Sequence, residues 1–101
     1  MTDRELLELA AKAAEITLWD WSEVSQAYRT TKPMHDWNPL TDDGDALRLA
    51  VKLGVDVFGS SHYRMCEWDE GVATEPSNND PYAATRRAIV RAAAEIGKGM
   101  K

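Results

Sequence analysis

The densest cluster of side chains with chemical potential is the acidic run Asp42-Asp43-Gly44-Asp45. Carboxylates at this density suggest a calcium loop, but the alternating acids and the distal glutamate of such loops are missing. Thr41 or Asp42 can instead accept hydrogen bonds from the free N–H groups that begin a helix, and the following acids suit the positive end of its dipole. We therefore predict helix capping here and no metal site.

Cys66, His35 and His62 are the other residues that could bind a metal or act as a nucleophile. In an extended strand, His62 and Cys66 share a face but lie about 13 Å apart at ~3.3 Å per residue. That separation is too large for one zinc ion or one shared proton. His35 can join them only through tertiary folding. We predict a structural role for Cys66, whose solitary presence fits a reducing cytoplasm, and no cofactor.

Carboxylates and tryptophans suggest two further kinds of chemistry. Glu67, Asp69 and Glu70 could supply paired carboxylates for acid–base catalysis, but a solvated hairpin tip explains them more simply, so we predict no enzyme. Tryptophan is enriched at binding hot spots, although it is commonly a core residue. Trp19 and Trp21 alternate onto one face of a predicted strand. The candidate partner-binding residues are Trp19, Trp21, Glu67, Trp68, Asp69 and Glu70.

Composition limits the class of protein. The 101 residues are 44% hydrophobic, which predicts one globular domain over 1–101. No apolar run approaches the about 20 residues that span a bilayer, so no membrane partner is expected. The net charge of −5 argues against nucleic acid and is compatible with a basic protein partner, although mild acidity that only aids solubility is the simpler explanation. The arginines Arg86, Arg87 and Arg91 form a stripe too short for a nucleic-acid surface, and we predict a solvated helix face.

A central helix is predicted over 41–53. Pro39 disfavours helix before it, and Gly54 can adopt the left-handed conformation that ends a helix. The apolar residues of this segment cover so much of its circumference that more than one neighbour should pack on it. On this interpretation Leu47 belongs to the core, and Leu47→Ala would cost about 2–5 kcal/mol.

Two further helices are predicted at the chain ends. The first covers Thr2–Ala14, where Thr2 and Glu5 have the spacing of a capping box. The last begins at Pro81, after the capping acid Asp80, and is expected to end at Gly97.

Five short segments between these helices have the composition of strands, with turn residues between them. The polar segment 30–36, which contains Pro33, is predicted to be a connection. The predicted strands are Ile16–Trp21, Val24–Arg29, Val55–Phe58, Tyr63–Trp68 and Val72–Thr74.

Three segments resemble small accessory proteins of tailed phages and prophages, specifically the NinX-like group and the phage ABA sandwich domain. They are Met1–Ile16, Trp37–Gly54 and Asp80–Lys101, the last reading DPYAATRRAIVRAAAEIGKGMK. The resemblance implies an α+β fold in which three helices flank a small, mainly antiparallel sheet, like an α-β-α sandwich. It also implies a phage or prophage origin and action in the bacterial host cytoplasm, and it transfers no catalytic residue.

Taken together, these features favour a non-enzymatic protein that binds a host or phage protein, for instance to inhibit a host defence or regulatory complex. Acids such as Glu67, Asp69, Glu70 and Glu75 could then imitate phosphates. An assembly or replication role, with a possible homo-oligomer, is the alternative, and a small enzyme or ligand binder would require a deep pocket holding His35, His62 or Cys66.

Overall fold

Residues 1–30 and 35–100, which the computed structural model describes, form three helices and six strands. The helices are α1 (Asp3–Ala14), α2 (Asp43–Leu53) and α3 (Pro81–Lys98). The strands are β1 (Leu18–Ser22), β2 (Ala27–Thr30), β3 (Asp36–Trp37), β4 (Asp56–Gly59), β5 (Tyr63–Trp68) and β6 (Gly71–Pro76). The predicted connection 30–36 includes 31–34, which lie outside the described residues, and its last residue belongs to β3, a strand that was not predicted.

All three helices begin at the predicted caps. A side-chain oxygen of Thr2, Asp42 and Asp80 accepts a first-turn backbone N–H in α1, α2 and α3, at 3.1, 2.8 and 3.0 Å. The capping box of α1 is complete, because Glu5 also accepts from the Thr2 backbone N–H at 3.1 Å. Gly54 ends α2 with a φ of 66°, as predicted. The acidic run therefore does the capping that its position indicated.

Gly97 does not end α3, which continues to Lys98. A Cβ atom at this position would lie 2.1 Å from the backbone oxygen of Leu9 in α1. The glycine is therefore required because two helix backbones approach each other there. The prediction of a helix stop was wrong, since close helix packing and helix termination both favour glycine.

The strands form two separate antiparallel sheets, here called sheet A (order β1-β2-β3) and sheet B (order β4-β5-β6). The α+β class with three helices and antiparallel pairing is confirmed, and the strand content is divided between two small sheets. α3 packs on α1, on α2 and on one face of sheet B.

Only one side of α2 is buried. Ala46, Leu49 and Ala50 belong to the core, whereas Leu47 is 62% exposed and Val51 is 72% exposed. The predicted core role of Leu47, and with it the predicted cost of Leu47→Ala, was wrong. Hydrophobic periodicity shows which side of a helix is apolar, but it does not show how much of that side other elements cover.

Candidate functional site

A bulge in β1 separates the two tryptophans that were predicted to share a face. The pairing of β1 with β2 shifts register between Leu18 and Trp21, so both of these residues pack against the core. Trp21 lies 5.1 Å from the ring of Tyr28, edge to face, and beneath the guanidinium of Arg4 at 4.9 Å. Trp19 is 60% exposed. The shared face was therefore wrong, and only Trp19 has the exposure that a partner contact needs.

The β5–β6 hairpin carries the other four predicted residues, but on different faces. Trp68 points to the helix side of sheet B, packs against the core and contacts Gly71. Glu67 is exposed on the opposite face, and Asp69 and Glu70 are exposed in the connecting turn. These four residues therefore divide into one core residue, Trp68, and an acidic end of sheet B.

The face of sheet B that points away from α3 forms a continuous surface, here called the open face. Side chains alternate along each strand, and the pairing register places those of all three strands side by side in rows. The first row is Asp56, Glu67 and Val72; the second is Phe58, Met65 and Thr74; the third is Tyr63 and Pro76.

This face combines apolar and acidic groups. Phe58, Tyr63 and Val72 are 44%, 50% and 52% exposed. Asp56 and Glu67 lie directly opposite each other on neighbouring strands, an arrangement in which like charges destabilise the sheet. The apolar part of this face was not predicted from the sequence, although alternation within the three predicted strands would have placed it once the register was known.

The arginines of α3 form ion pairs with other acids, so they do not neutralise the acids at this end of sheet B. The α3 arginines Arg86, Arg87 and Arg91 pair with Asp43 at 2.6 Å, with Asp3 at 3.0 Å and with Glu75. The arginine stripe is thus neutralised internally, and Glu75 is not available as a phosphate mimic. Within residues 1–30 and 35–100, none of the acids at this end of sheet B forms an ion pair. These acids are Asp56, Glu67, Asp69 and Glu70.

A second feature is a cleft of about 420 Å³ between sheet A, α2 and the end of α1, here called the cleft. Its apolar lining comes from all three elements, and its polar groups lie on sheet A and α2. The lining residues are Ala14, Ile16, Thr30, His35, Trp37, Asp45, Arg48, Leu49 and Lys52.

Asp45 organises the polar side of the cleft. It is 4% exposed, and its carboxylate accepts from the Asn38 backbone N–H at 3.0 Å and from Arg48 at 2.7 Å. His35 Nε2 lies 3.8 Å from the same carboxylate, and its Nδ1 lies 3.1 Å from the Thr30 hydroxyl oxygen. Asp45 therefore ties α2 to the segment after β3 and orients Arg48 at the mouth.

Cys66 and His62 do not join His35. Cys66 is fully buried on the helix side of sheet B, where burial and the nearby charge of Asp56 raise the pKa of its thiol to about 11. His62 is exposed in the turn before β5, outside the cleft. Across the described part of the chain, no group of three or more His, Cys, Asp or Glu residues is arranged to hold a metal ion. A thiolate nucleophile at Cys66 is disfavoured by its environment.

No protein-family model, curated protein sequence or solved structure matches this chain. The relationship to phage accessory proteins therefore stays a prediction from the sequence. Among the helices of residues 1–30 and 35–100, none combines the length and apolar composition that a bilayer crossing requires.

Proposed function

We propose that this chain is a non-enzymatic binding protein that holds a basic protein partner on the open face of sheet B. The observation that carries the proposal is the direct opposition of Asp56 and Glu67 beside the exposed ring of Phe58. Two uncompensated carboxylates that repel each other are stabilised by an incoming cation. Phe58 and Met65, in the row beside them, supply apolar area for a desolvated contact.

Charge also favours a basic partner over a second copy as the occupant. A two-fold dimer would place the same surface of both copies in contact, so the acids of each open face would lie near those of the other. A net charge of −5 adds to that repulsion. A partner with lysine or arginine around an apolar patch has the complementary potential, which favours both affinity and rapid association.

The resemblance to phage accessory proteins directs the search to the cytoplasm of a bacterial host. The biological role that fits is inhibition of a host defence or regulatory complex, in which Glu67, Asp69 and Glu70 occupy a basic surface of the target. Internal pairing of the α3 arginines with acids supports a role without direct nucleic-acid binding.

Site-specific photocrosslinking tests this assignment in bacterial lysate. A benzophenone amino acid replaces Tyr63 on the open face in one protein and Trp19 in sheet A in another. Both sites carry exposed aromatic residues, so the two probes are matched in size and accessibility. We expect a specific protein adduct from position 63 and none from position 19. An adduct from position 19 alone would transfer the binding surface to sheet A and overturn the proposal.

Charge reversal provides the second measurement on the captured partner. Glu67→Lys should reduce its retention about tenfold, since it replaces an attractive charge with a repulsive one. Asp20→Lys makes the same change in net charge on β1 and should alter retention less than about twofold. Retention should also fall as salt is raised. Equal losses in both variants would mean that only net charge matters and would exclude the open face.

A further inference from the structure

Sheet B has two edges, and one of them is blocked against further strands. At the β6 edge, the Ser77 N–H donates to the His62 carbonyl oxygen at 2.9 Å. Since bonded and non-bonded pairs alternate in an antiparallel ladder, Thr74 and Pro76 direct their backbone groups away from β5. Pro76 has no N–H to offer, and Arg91 of α3 donates to the Thr74 carbonyl oxygen at 3.0 Å. Proteins use such devices to prevent another strand from pairing at an edge.

The opposite edge, β4, lacks both of these devices. The Ser60 N–H donates to the Tyr63 carbonyl oxygen at 2.8 Å, so this is a hydrogen-bonded pair. By the same alternation, Val57 and Gly59 direct their N–H and C=O groups away from β5. Among the described residues, no other segment supplies a hydrogen-bond partner for these four groups. β4 therefore closes the sheet with a free edge.

The helices also leave β4 uncovered. Val57, Cys66 and Ala73 form one row across the inner face of sheet B. α3 packs on β5 and β6 and buries Cys66 and Ala73, whereas Val57 is 40% exposed. On the other side of the same strand, Asp56 and Phe58 belong to the open face. An added strand would therefore meet exposed side chains on both faces of β4 and free backbone groups between them.

Charge selects the kind of strand that this edge accepts. In an added antiparallel strand, the residue opposite Asp56 occupies a non-hydrogen-bonded site, where facing side chains are closest. A lysine or arginine at that site would pair with Asp56 and offset its repulsion from Glu67. Arg64 of β5 does not do so, because it lies on the inner face and donates to the Thr85 hydroxyl at 2.9 Å.

Size argues against a second copy as the added strand. β4 has only four residues, whereas a stable interface uses about 20–30 residues a side. A segment of a partner that also contacts the open face gains the missing area there, and it can carry the cations that β4 of a second copy lacks.

We propose that the basic partner adds an extended segment of its own chain to β4, as a fourth strand of sheet B. Lysine or arginine residues of the segment lie on the open face beside Asp56. The residues between them exchange backbone hydrogen bonds with Val57 and Gly59, which is the β-augmentation mode of peptide recognition. Because this specifies how the partner of the open face is held, it rests on the proposed function.

Amide hydrogen exchange of the full chain, measured by NMR, tests the edge directly. The probe is the peptide acetyl-Lys-Val-Lys-Val-Lys-amide, whose alternating lysines place a cation opposite Asp56 in any register. We expect saturable binding, with exchange of the Val57 and Gly59 N–H groups slowed at least about tenfold. The outward N–H of Thr74, on the blocked edge, is the internal control and should change less than about twofold.

Two N-methylated peptides separate backbone pairing from charge. Methylation of both valine nitrogens removes the N–H groups that would bond to β4 and should weaken binding at least about tenfold. Methylation of two lysine nitrogens alters groups that face away from β4 and should weaken binding less than about twofold. Equal losses in both peptides, or no saturable binding of the unmethylated peptide, would overturn the assignment.

The complex captured by photocrosslinking separates this mode of binding from the proposed function itself. If position 63 captures a partner but Val57 and Gly59 exchange as fast as in the free chain, β-augmentation is overturned and the open face stands. If the peptide protects these amides but position 63 captures nothing, the proposed function fails and β4 remains a strand-binding edge. Protection that rises with the concentration of the protein alone would identify a second copy and overturn the assignment of a basic segment.

Discussion

Sheets A and B have the same number of strands and the same antiparallel pairing, yet they meet the helices through side chains of different size. Sheet B turns Cys66 and Ala73 toward α3, and its strands β5 and β6 come within 8 Å of that helix between Cα atoms. Sheet A contributes Tyr28 and Trp37 to the core instead, and within the described residues none of its strands packs along a helix as extensively as β5 and β6 pack along α3.

This difference decides which faces of the two sheets remain uncovered by helices. At the centre of the inner face of sheet B, the small side chains of Cys66 and Ala73 allow close packing on α3, while Trp68 packs against the core at the end of the sheet. The open face remains as the surface that we propose for a partner. Large aromatic side chains hold sheet A away from the helices, and the space beside Trp37 remains as the cleft.

The largest expected effect comes from enlarging a side chain on the inner face of sheet B, compared with one on its open face. Ala73→Leu adds three carbon atoms between sheet B and α3 and should lower the free energy of unfolding by about 3 kcal/mol, because the close-packed layers must separate. Thr74→Leu enlarges the neighbouring side chain on the open face, where solvent accommodates the added atoms, and should cost less than about 1 kcal/mol. Urea denaturation of both variants measures the difference, and equal losses would contradict the comparison.

A second prediction concerns the close packing between α3 and the inner face of sheet B. Burial raises the pKa of the Cys66 thiol from 9.0 to about 11, so at pH 8 the native thiolate fraction should be about 100-fold lower than that of an exposed thiol. Reaction with a disulfide reagent should be slowed by at least this factor in the native state and restored in denaturant. A native rate equal to the denatured rate would show that the layers open freely.

The same pKa shift predicts a pH dependence of stability. Between pH 9 and about 11 the unfolded chain loses the Cys66 proton while the folded chain keeps it, so stability falls as pH rises through this window and the contribution is intact below it. Cys66→Ala is the control, since it lacks this titration and should show a shallower decline over the same pH range.

The smallest expected effect on stability concerns α2, the helix between the cleft and α3. Leu47→Ala should change the free energy of unfolding by less than about 0.5 kcal/mol, because the side chain is 62% exposed. Val24→Ala is a suitable control, since Val24 is 99% exposed in the turn of the first hairpin. A loss of unfolding free energy above about 1 kcal/mol in the leucine variant alone would show that Leu47 contributes to the core after all.

Local features of the sequence predicted the secondary structure well. The caps at Thr2, Asp42 and Asp80 and the stop at Gly54 depend on hydrogen bonds within a few residues, so spacing alone was sufficient to find them. The β5 bounds, Tyr63–Trp68, were predicted to the residue. The candidate binding residues were less predictable, because exposure depends on what packs against each face.

Trp19 and Trp21 show why alternation alone fails. A strict period of two places them together, but a single register shift in β1 turns Trp21 toward the core and leaves Trp19 in solvent. The sequence of β1 contains no signal for that bulge. It is favoured because it lets Leu18 and Trp21 both reach the apolar interior.

The amino-acid sequence by itself determined the helices, the hairpin of sheet B, the excess of negative charge and the absence of a contiguous catalytic motif. These properties follow from backbone preferences and from interactions between near neighbours. Only the tertiary structure decided that Gly97 brings two helices together, that the acids of the open face form no ion pair within residues 1–30 and 35–100, and that His35, Asp45 and Lys52 border one cleft. Each of those depends on which distant segments meet, and that is fixed by side-chain volume and burial across the whole fold.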